Sequence, residues 1–345
     1  MTSPAHRNGF DAVRIVAATM VIYGHAFPLT GNVGPGFLGN SIATIGVKIF
    51  FVTSGFLITR SWLSDPDPVR FVLRRGLRIM PGLIGAILFT ILILGPAFTA
   101  LGLAEYAAHS GTALYLWNIL LFPIYYLPGV FTQNVYPGAV NGSLWSLPPE
   151  VLMYLLTPFL LGRREQSGRV ALPVFCLLLG TLAISLVRVL PTPSQAVVYG
   201  TGVTSLLDVA VYFQIGAVCA LFGWERFARP LLSLAMLGLS AWWVVQNAVL
   251  TELVLFLVLP FAVISVGQQR LAFLSPILRR NDVSYGLYLY GFPVQQALIA
   301  LTGNQMTPMA NLAAALPVTL VLAVLSWRLI ERRALSWKPQ RRPSP

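Results

Sequence analysis

The chain has 345 residues, 56% of them hydrophobic and only 10% charged, with a mean hydropathy of +0.74. Soluble proteins carry about a quarter charged residues, so the composition excludes an ordinary soluble domain and specifies an all-α, polytopic membrane protein. Lys and Arg outnumber Asp and Glu by 23 to 11; in a membrane protein that excess marks cytoplasmic loops, not a nucleic-acid partner.

The first apolar run, Phe10 to Pro28, is long enough to cross a bilayer, yet it contains Arg14 and His25. It lacks an A-x-A cleavage pattern and is expected to be retained. A charge near the bilayer centre costs about 3 kcal/mol even on lenient scales, so such groups face protein or a wet cavity. Arg14 and His25 are separated along a helix by roughly 16 Å and lie near one face. Asp11, three residues before Arg14, is spaced to pair with it. A snorkelling arginine and a satisfied core histidine would produce the same pattern.

A charge-free, glycine-rich loop, Leu29 to Asn40, leads to the second run, Ser41 to Leu63. Thr53, Ser54 and Gly55 interrupt that run with small residues, which allow close approach of either a neighbouring helix or a ligand. Arg60, Arg70, Arg74, Arg75 and Arg78 follow, so this side is expected to be cytoplasmic, together with the amino terminus. Arg70, Arg74 and Arg78 repeat every four residues and form one helical stripe. Guanidinium forks in that arrangement suit phosphates of a ligand or of lipid headgroups, although orientation in the membrane also asks for arginines here.

Gly82 to Ala100 returns outward. Parity then requires Leu101 to Asn141 to begin and end outside, so its short apolar piece, Thr112 to Leu127, is predicted to be re-entrant or packed at the outer surface. Leu144 to Leu161 opens on NGSLWSLPPE: Pro148 and Pro149 suit a first helical turn, and Glu150 is favoured there by the helix dipole. Starting from the outer side, this helix is expected to bring Glu150 to the depth of His25, where a carboxylate would raise the basicity of the imidazole. Further spans are predicted at Val170–Leu190, Ser205–Phe222, Pro230–Asn247, Leu250–Gly267, Val283–Leu301 and Thr307–Trp327, ten in all, plus the re-entrant segment, with both termini cytoplasmic. Residues 1–335 make one membrane domain, and 336–345 a basic tail. Cys176 and Cys219 sit in apolar runs without metal-ligand spacing, so neither a disulfide framework nor a metal site is expected.

Six stretches, in order, carry a resemblance: FDAVR with His25 beyond it, GVKIFFVTSGFLI, RRGLRIMP, LWSLPPEVLMYL, SYGLYLYGFPV and WRLIER. Together they resemble the acyltransferase-3 family of integral-membrane O-acyltransferases, and within it the exopolysaccharide and nodulation-factor O-acetylase branch. The resemblance implies an acyltransferase of the bacterial inner membrane. Acetyl-CoA or another acyl-CoA would be its donor substrate and a surface glycan or glycolipid its acceptor, with no bound cofactor. It implies catalytic roles for His25, Glu150 and Arg14, and substrate contacts from Asp11, Ser54, Arg74, Arg75, Arg78, Trp145 and Tyr288. The chain departs from the family where Val151 follows Glu150 in place of a second acid, and where Tyr290 and Gly291 replace Trp-His before Phe292. A glycan or lipid transporter, or a non-catalytic partner in glycan assembly, is the alternative reading of the same intramembrane polar residues.

Overall fold

The computed structural model describes residues 9–162, 165–189, 196–227, 229–242, 247–269 and 282–339. Ten long helices follow the predicted runs: α1 (Gly9–Leu29), α2 (Ile42–Ser64), α3 (Pro68–Phe89), α4 (Leu147–Leu161), α5 (Glu165–Ala183), α6 (Val203–Phe222), α7 (Pro230–Trp242), α8 (Ala248–Gly267), α9 (Ser284–Leu301) and α10 (Pro308–Ser326). Among the described residues, strand is confined to two antiparallel hairpins with two-residue arms, Gly36–Phe37 with Asn40–Ser41 and Val197–Val198 with Thr201–Gly202. Eight of the helices are long and apolar enough to cross a membrane. The exceptions are α7, whose described part is short, and α9. In α9, 13 of 18 residues are buried, Gln295 and Gln296 among them; a helix enclosed by protein can carry polar side chains that lipid would penalise.

The third span differs from expectation. α3 starts at Pro68 and continues through a wider turn, Thr90–Leu94, to Phe98. The arginine stripe is therefore the first part of the spanning helix, not a separate element. Asp67 caps it, accepting from the backbone N–H of Arg70. Several of the arginines that set the expected orientation, at 7, 163, 164, 270, 279 and 280, lie outside the described residues.

Residues 99–141 form a cap of short helical turns, braced internally by isolated bridges at Thr99–Val130 and Tyr126–Ala139. The predicted re-entrant piece falls here and does not cross the bundle. It bends at Leu121, which has a left-handed φ of 64°. Its exposed backbone is answered by Asn118, whose amide donates to the carbonyls of Tyr115 and Ile124 and accepts from the Ile124 N–H. This is the internal satisfaction that irregular backbone at membrane depth demands.

α2 is the axis of the bundle, with α1 and α6 against it. A Cβ on Gly55 would come within 2.0 Å of the Phe213 carbonyl, at 1.9 Å, and one on Gly216 would lie 2.3 Å from the Val52 carbonyl. The two helices thus touch backbone to backbone, and the small residue at Gly55 serves a neighbouring helix. α2 also carries Lys48, which is fully buried. Its ammonium pairs with Asp208 of α6 and Glu252 of α8, each at 3.0 Å, and donates to Asn40 at 2.8 Å. Tyr212 donates to the same Glu252 oxygen at 2.7 Å and places its ring under the ammonium.

The crossing yields a stability test. Gly55→Val should destabilise the protein by at least about 3 kcal/mol, because backbone on the opposing helix has nowhere to retreat. Gly238→Val on α7, where an added Cβ meets nothing within 4 Å, should change stability by less than about 1 kcal/mol. Thermal unfolding in detergent, followed by size-exclusion chromatography, compares the two. Equal melting temperatures would contradict the packing.

Candidate active site

The apolar runs are broken by polar residues that converge from four helices on one internal cavity. It is lined by Arg14 of α1, Arg78 of α3, Glu150 and Tyr154 of α4, and Ser284, Tyr285 and Tyr288 of α9, with Phe50 of α2 and Ser146 just before α4. Glu150 lies in the first turn of α4, as its proline pair predicts. One of its oxygens accepts from Ser54 at 2.8 Å and from the Tyr154 hydroxyl. Ser54 therefore belongs to the site while its neighbour Gly55 belongs to the packing. Farther along the cavity the Tyr288 hydroxyl donates to the Ser143 carbonyl at 2.8 Å and accepts from Ser146.

His25 does not line this cavity, and the expected His25–Glu150 pair is not formed. The reason is depth. A tight 3-10 turn, Gly142–Ser146, precedes α4. Its Gly142 packs directly on Phe292, whose ring stands edge-on to His25 at 5.2 Å. Glu150 follows Gly142 by eight residues, roughly 12 Å deeper at helical rise. It therefore reaches the depth of Arg14, while His25 stays one helical turn beyond Tyr288, beside Phe292. The His25 Nδ1 is buried without a hydrogen-bond partner. Gly291, where the family resemblance expects histidine, explains the closeness of α9: a Cβ there would lie 2.7 Å from Ile22 on α1.

The arginine stripe is divided by its partners. Arg74 is buried and pairs with Asp65 at 2.7 Å, and Arg70 pairs with the same carboxylate at 2.6 Å. Hydrogen bonds from both hold the Asp65 carboxyl down to about 2. Arg78 pairs with Asp282 at 2.7 Å and faces Glu331 at 3.8 Å, itself held by Ser326. Burial works against the ionisation of Asp282, but Arg78 and Arg14 overcome it and keep the carboxyl below its usual range. Arg75 is different. Its closest polar partner is Ser61 at a long 3.5 Å, its Nε is unpartnered, and no described carboxylate neutralises it. Arg14 has a buried, unpartnered Nε and no ion pair among the described residues, so the expected contact with Asp11 is absent. Beyond α10 the chain folds so that Lys338 feels Arg75 and Arg78; burial and these arginines push its ammonium down to about 8. This end of the bundle thus keeps positive charge without a direct ion pair among the described residues at Arg14, Arg75 and Lys338, whereas Arg74 and Arg78 each hold one, although nitrogens of both stay without hydrogen-bond partners.

Trp145 is not part of the cavity either. It packs into the main core, and its carbonyl accepts from Thr201 at 3.3 Å. Residues the sequence reading passed over include Tyr154, Ser146 and Tyr285. Their types are common in membrane helices, and only the four-residue offset of Tyr154 from Glu150 pointed to a shared face. Among the described residues no group of His, Cys, Asp and Glu is placed to hold a metal ion.

Chemically, the arrangement is a funnel. Arginines stand at one end, a hydrogen-bonded carboxylate and phenols line the middle, and the His25 imidazole stands beyond the far end.

Comparison with known proteins agrees with this chemistry. The chain is 28% identical to an O-acetyl transferase of Shigella phage Sf6 over 95% of its own length and 96% of that protein. It is 29% identical to Nodulation protein 10 of Rhizobium leguminosarum bv. viciae over 96% of its length and 94% of the relative. The family described as Acyltransferase domain matches residues 7–328. With that match covering nearly the whole helical bundle, the chain belongs to the acyltransferase-3 family and is a multi-pass membrane O-acyltransferase.

Proposed function

We propose that the protein moves an acetyl or other short acyl group from acyl-CoA to a hydroxyl of a glycan or glycolipid, in the inner membrane of a bacterium. The observation that carries this reading is the polar cavity running from Arg14 and Arg78, past Glu150, to Tyr288, one turn short of Phe292 and His25. Acyl-CoA would approach the arginine end from the cytoplasm. Its phosphates would bind Arg75, Arg14 and Lys338, which hold no direct ion pair among the described residues, while its thioester extends along the cavity toward His25. His25 would accept the proton of the acceptor hydroxyl. Glu150 would act from the donor side, with Ser54 and Tyr154 holding its position.

His25→Ala should lower transfer at least 100-fold, the usual minimum for a positioned acid–base group, with acetyl-CoA affinity kept within about threefold. Radiolabelled acetyl transfer and equilibrium binding separate the two effects. Transfer within tenfold of wild type would remove His25 from the mechanism.

The division of the arginines gives a second expectation. Charge-assisted contacts are each worth about 1.5–3 kcal/mol, so Arg75→Ala should raise the KM for acetyl-CoA roughly ten- to a hundredfold. Arg74→Ala should instead lower the melting temperature and leave KM nearly unchanged, because Arg74 is committed to Asp65. Parallel KM increases in both variants would restore the intact stripe as the donor site.

Orientation is tested with single cysteines. A reporter at Val33, which is 97% exposed, should react with an impermeant maleimide on intact cells, and one at Ser64 only after permeabilisation. The reverse pattern would invert the proposed direction of donor access.

A further inference from the structure

The cap end of the bundle differs from the arginine end in a way that acyl transfer alone does not require. At this end residues 28–47, 110–149, 196–207 and 302–307 contain no Lys, Arg, Asp or Glu, and residues 99–109 of the cap add one exposed carboxylate, Glu105, and no Lys or Arg. The buried Lys48, Asp208 and Glu252 are engaged with one another. In place of cations this end displays phenol rings, with Tyr126 61% and Tyr136 46% exposed.

Tyr136 is connected to the reacting region. Its ring stands edge-on to Phe292, with centroids 6.4 Å apart, and Phe292 stands edge-on to His25. A continuous aromatic run therefore leads from the surface to the imidazole. The loop that presents Tyr136 is held rigidly. The fully buried Gln296 donates to the carbonyls of Tyr136 and Ala139, each at 2.8 Å, while Asn134 donates back to the Gln296 backbone and side chain. Asn304 accepts from the Val135 N–H and donates to the Gln133 carbonyl. An aromatic belt at a lipid interface accounts for exposed tyrosines, but it does not need a ring fixed by buried amides from another helix. Fixing the ring in advance lowers the ordering cost of binding.

The chemistry of this mouth selects among acceptors. Acidic polysaccharides and sugar nucleotides need cations for their carboxylates or phosphates, and these segments provide none. A neutral pyranose offers an apolar C–H face to a phenol ring and a rim of hydroxyls to backbone and amide groups. We infer that the acceptor is an uncharged glycan whose reacting sugar stacks on Tyr136 at the cap-end mouth, above His25. The inference rests on the O-acyl transfer described above. In that step the sugar hydroxyl oxygen bonds to the thioester carbonyl carbon and the carbon–sulfur bond breaks. The hydroxyl proton passes to His25 and on to the departing thiolate, leaving an ester and a free thiol.

The test uses the purified full chain in detergent with radiolabelled acetyl-CoA. The probe acceptors are surface polysaccharides of the source cells, freed of esters by mild alkali and split by anion exchange into neutral and acidic fractions. Wild type should acetylate the neutral fraction. Tyr136→Ala should raise its half-saturating concentration about tenfold or more with acetyl-CoA binding unaltered, and Tyr136→Phe, which keeps the ring, should restore it to within about threefold. Labelling of the acidic fraction alone would overturn the inference. So would unchanged half-saturation in Tyr136→Ala, or failure of Tyr136→Phe to rescue. Absence of any thioester turnover by wild type would instead defeat the O-acyltransfer mechanism itself, and the acceptor site with it.

Discussion

One ammonium group organises this bundle. Lys48 has no access to solvent, and the penalty for holding an ion in a low-dielectric interior is several kcal/mol unless partners are close and well aligned. Its partners come from three places, Asn40 before α2, Asp208 on α6 and Glu252 on α8, so three helices must share one axial register for the charge to be tolerated. That register allows Gly55 and Gly216 to meet at the α2–α6 crossing. It also presents Ser54 to Glu150. The site therefore inherits its geometry from a charge that takes no part in it.

The same rule, that an intramembrane charge must be answered, separates structural from functional groups along the chain. Arg74 and Arg78 are answered by Asp65, Asp282 and Glu331. Arg14 and Arg75 have no such partner among the described residues, and their unpartnered nitrogens line or adjoin the cavity. In a soluble protein such cations would be unremarkable because water would solvate them. Here they hold a positive potential in a poorly screened place, which an anionic substrate can use.

Much of the architecture was legible from apolar runs broken by basic loops and prolines, and the runs at Phe10–Pro28 and Ser205–Phe222 correspond closely to α1 and α6. Arg14, Glu150 and Ser54 were legible as polar residues where hydrophobic ones are cheaper. Their pairing was not, because helical periodicity reports which face a residue occupies and says nothing of its depth relative to another helix. The 3-10 turn at Gly142–Ser146 moved Glu150 away from His25, and no spacing rule foresees that offset. The stripe was read correctly as a face, but its counter-charges lie just outside the ends of other helices, at Asp65 and Asp282, where sequence distance hides them. The Lys48 network did leave a trace that went unused: three lone charges in three apolar runs, summing nearly to neutrality.

The uneven distribution of charge has a further consequence, for the response of each end to its medium. Attraction between the proposed polyanionic thioester donor and the arginine end would act over roughly a Debye length, about 8 Å at physiological ionic strength, and weaken as salt is added. The cap end, whose segments named above carry no Lys or Arg, would read the proposed sugar through contact and hydrogen bonds that salt hardly touches. On that proposal the binding of donor and of acceptor would be insulated from one another electrically. Donor capture would then follow the ionic composition around the arginine end, while the proposed acceptor would be read by shape at an end that salt hardly affects.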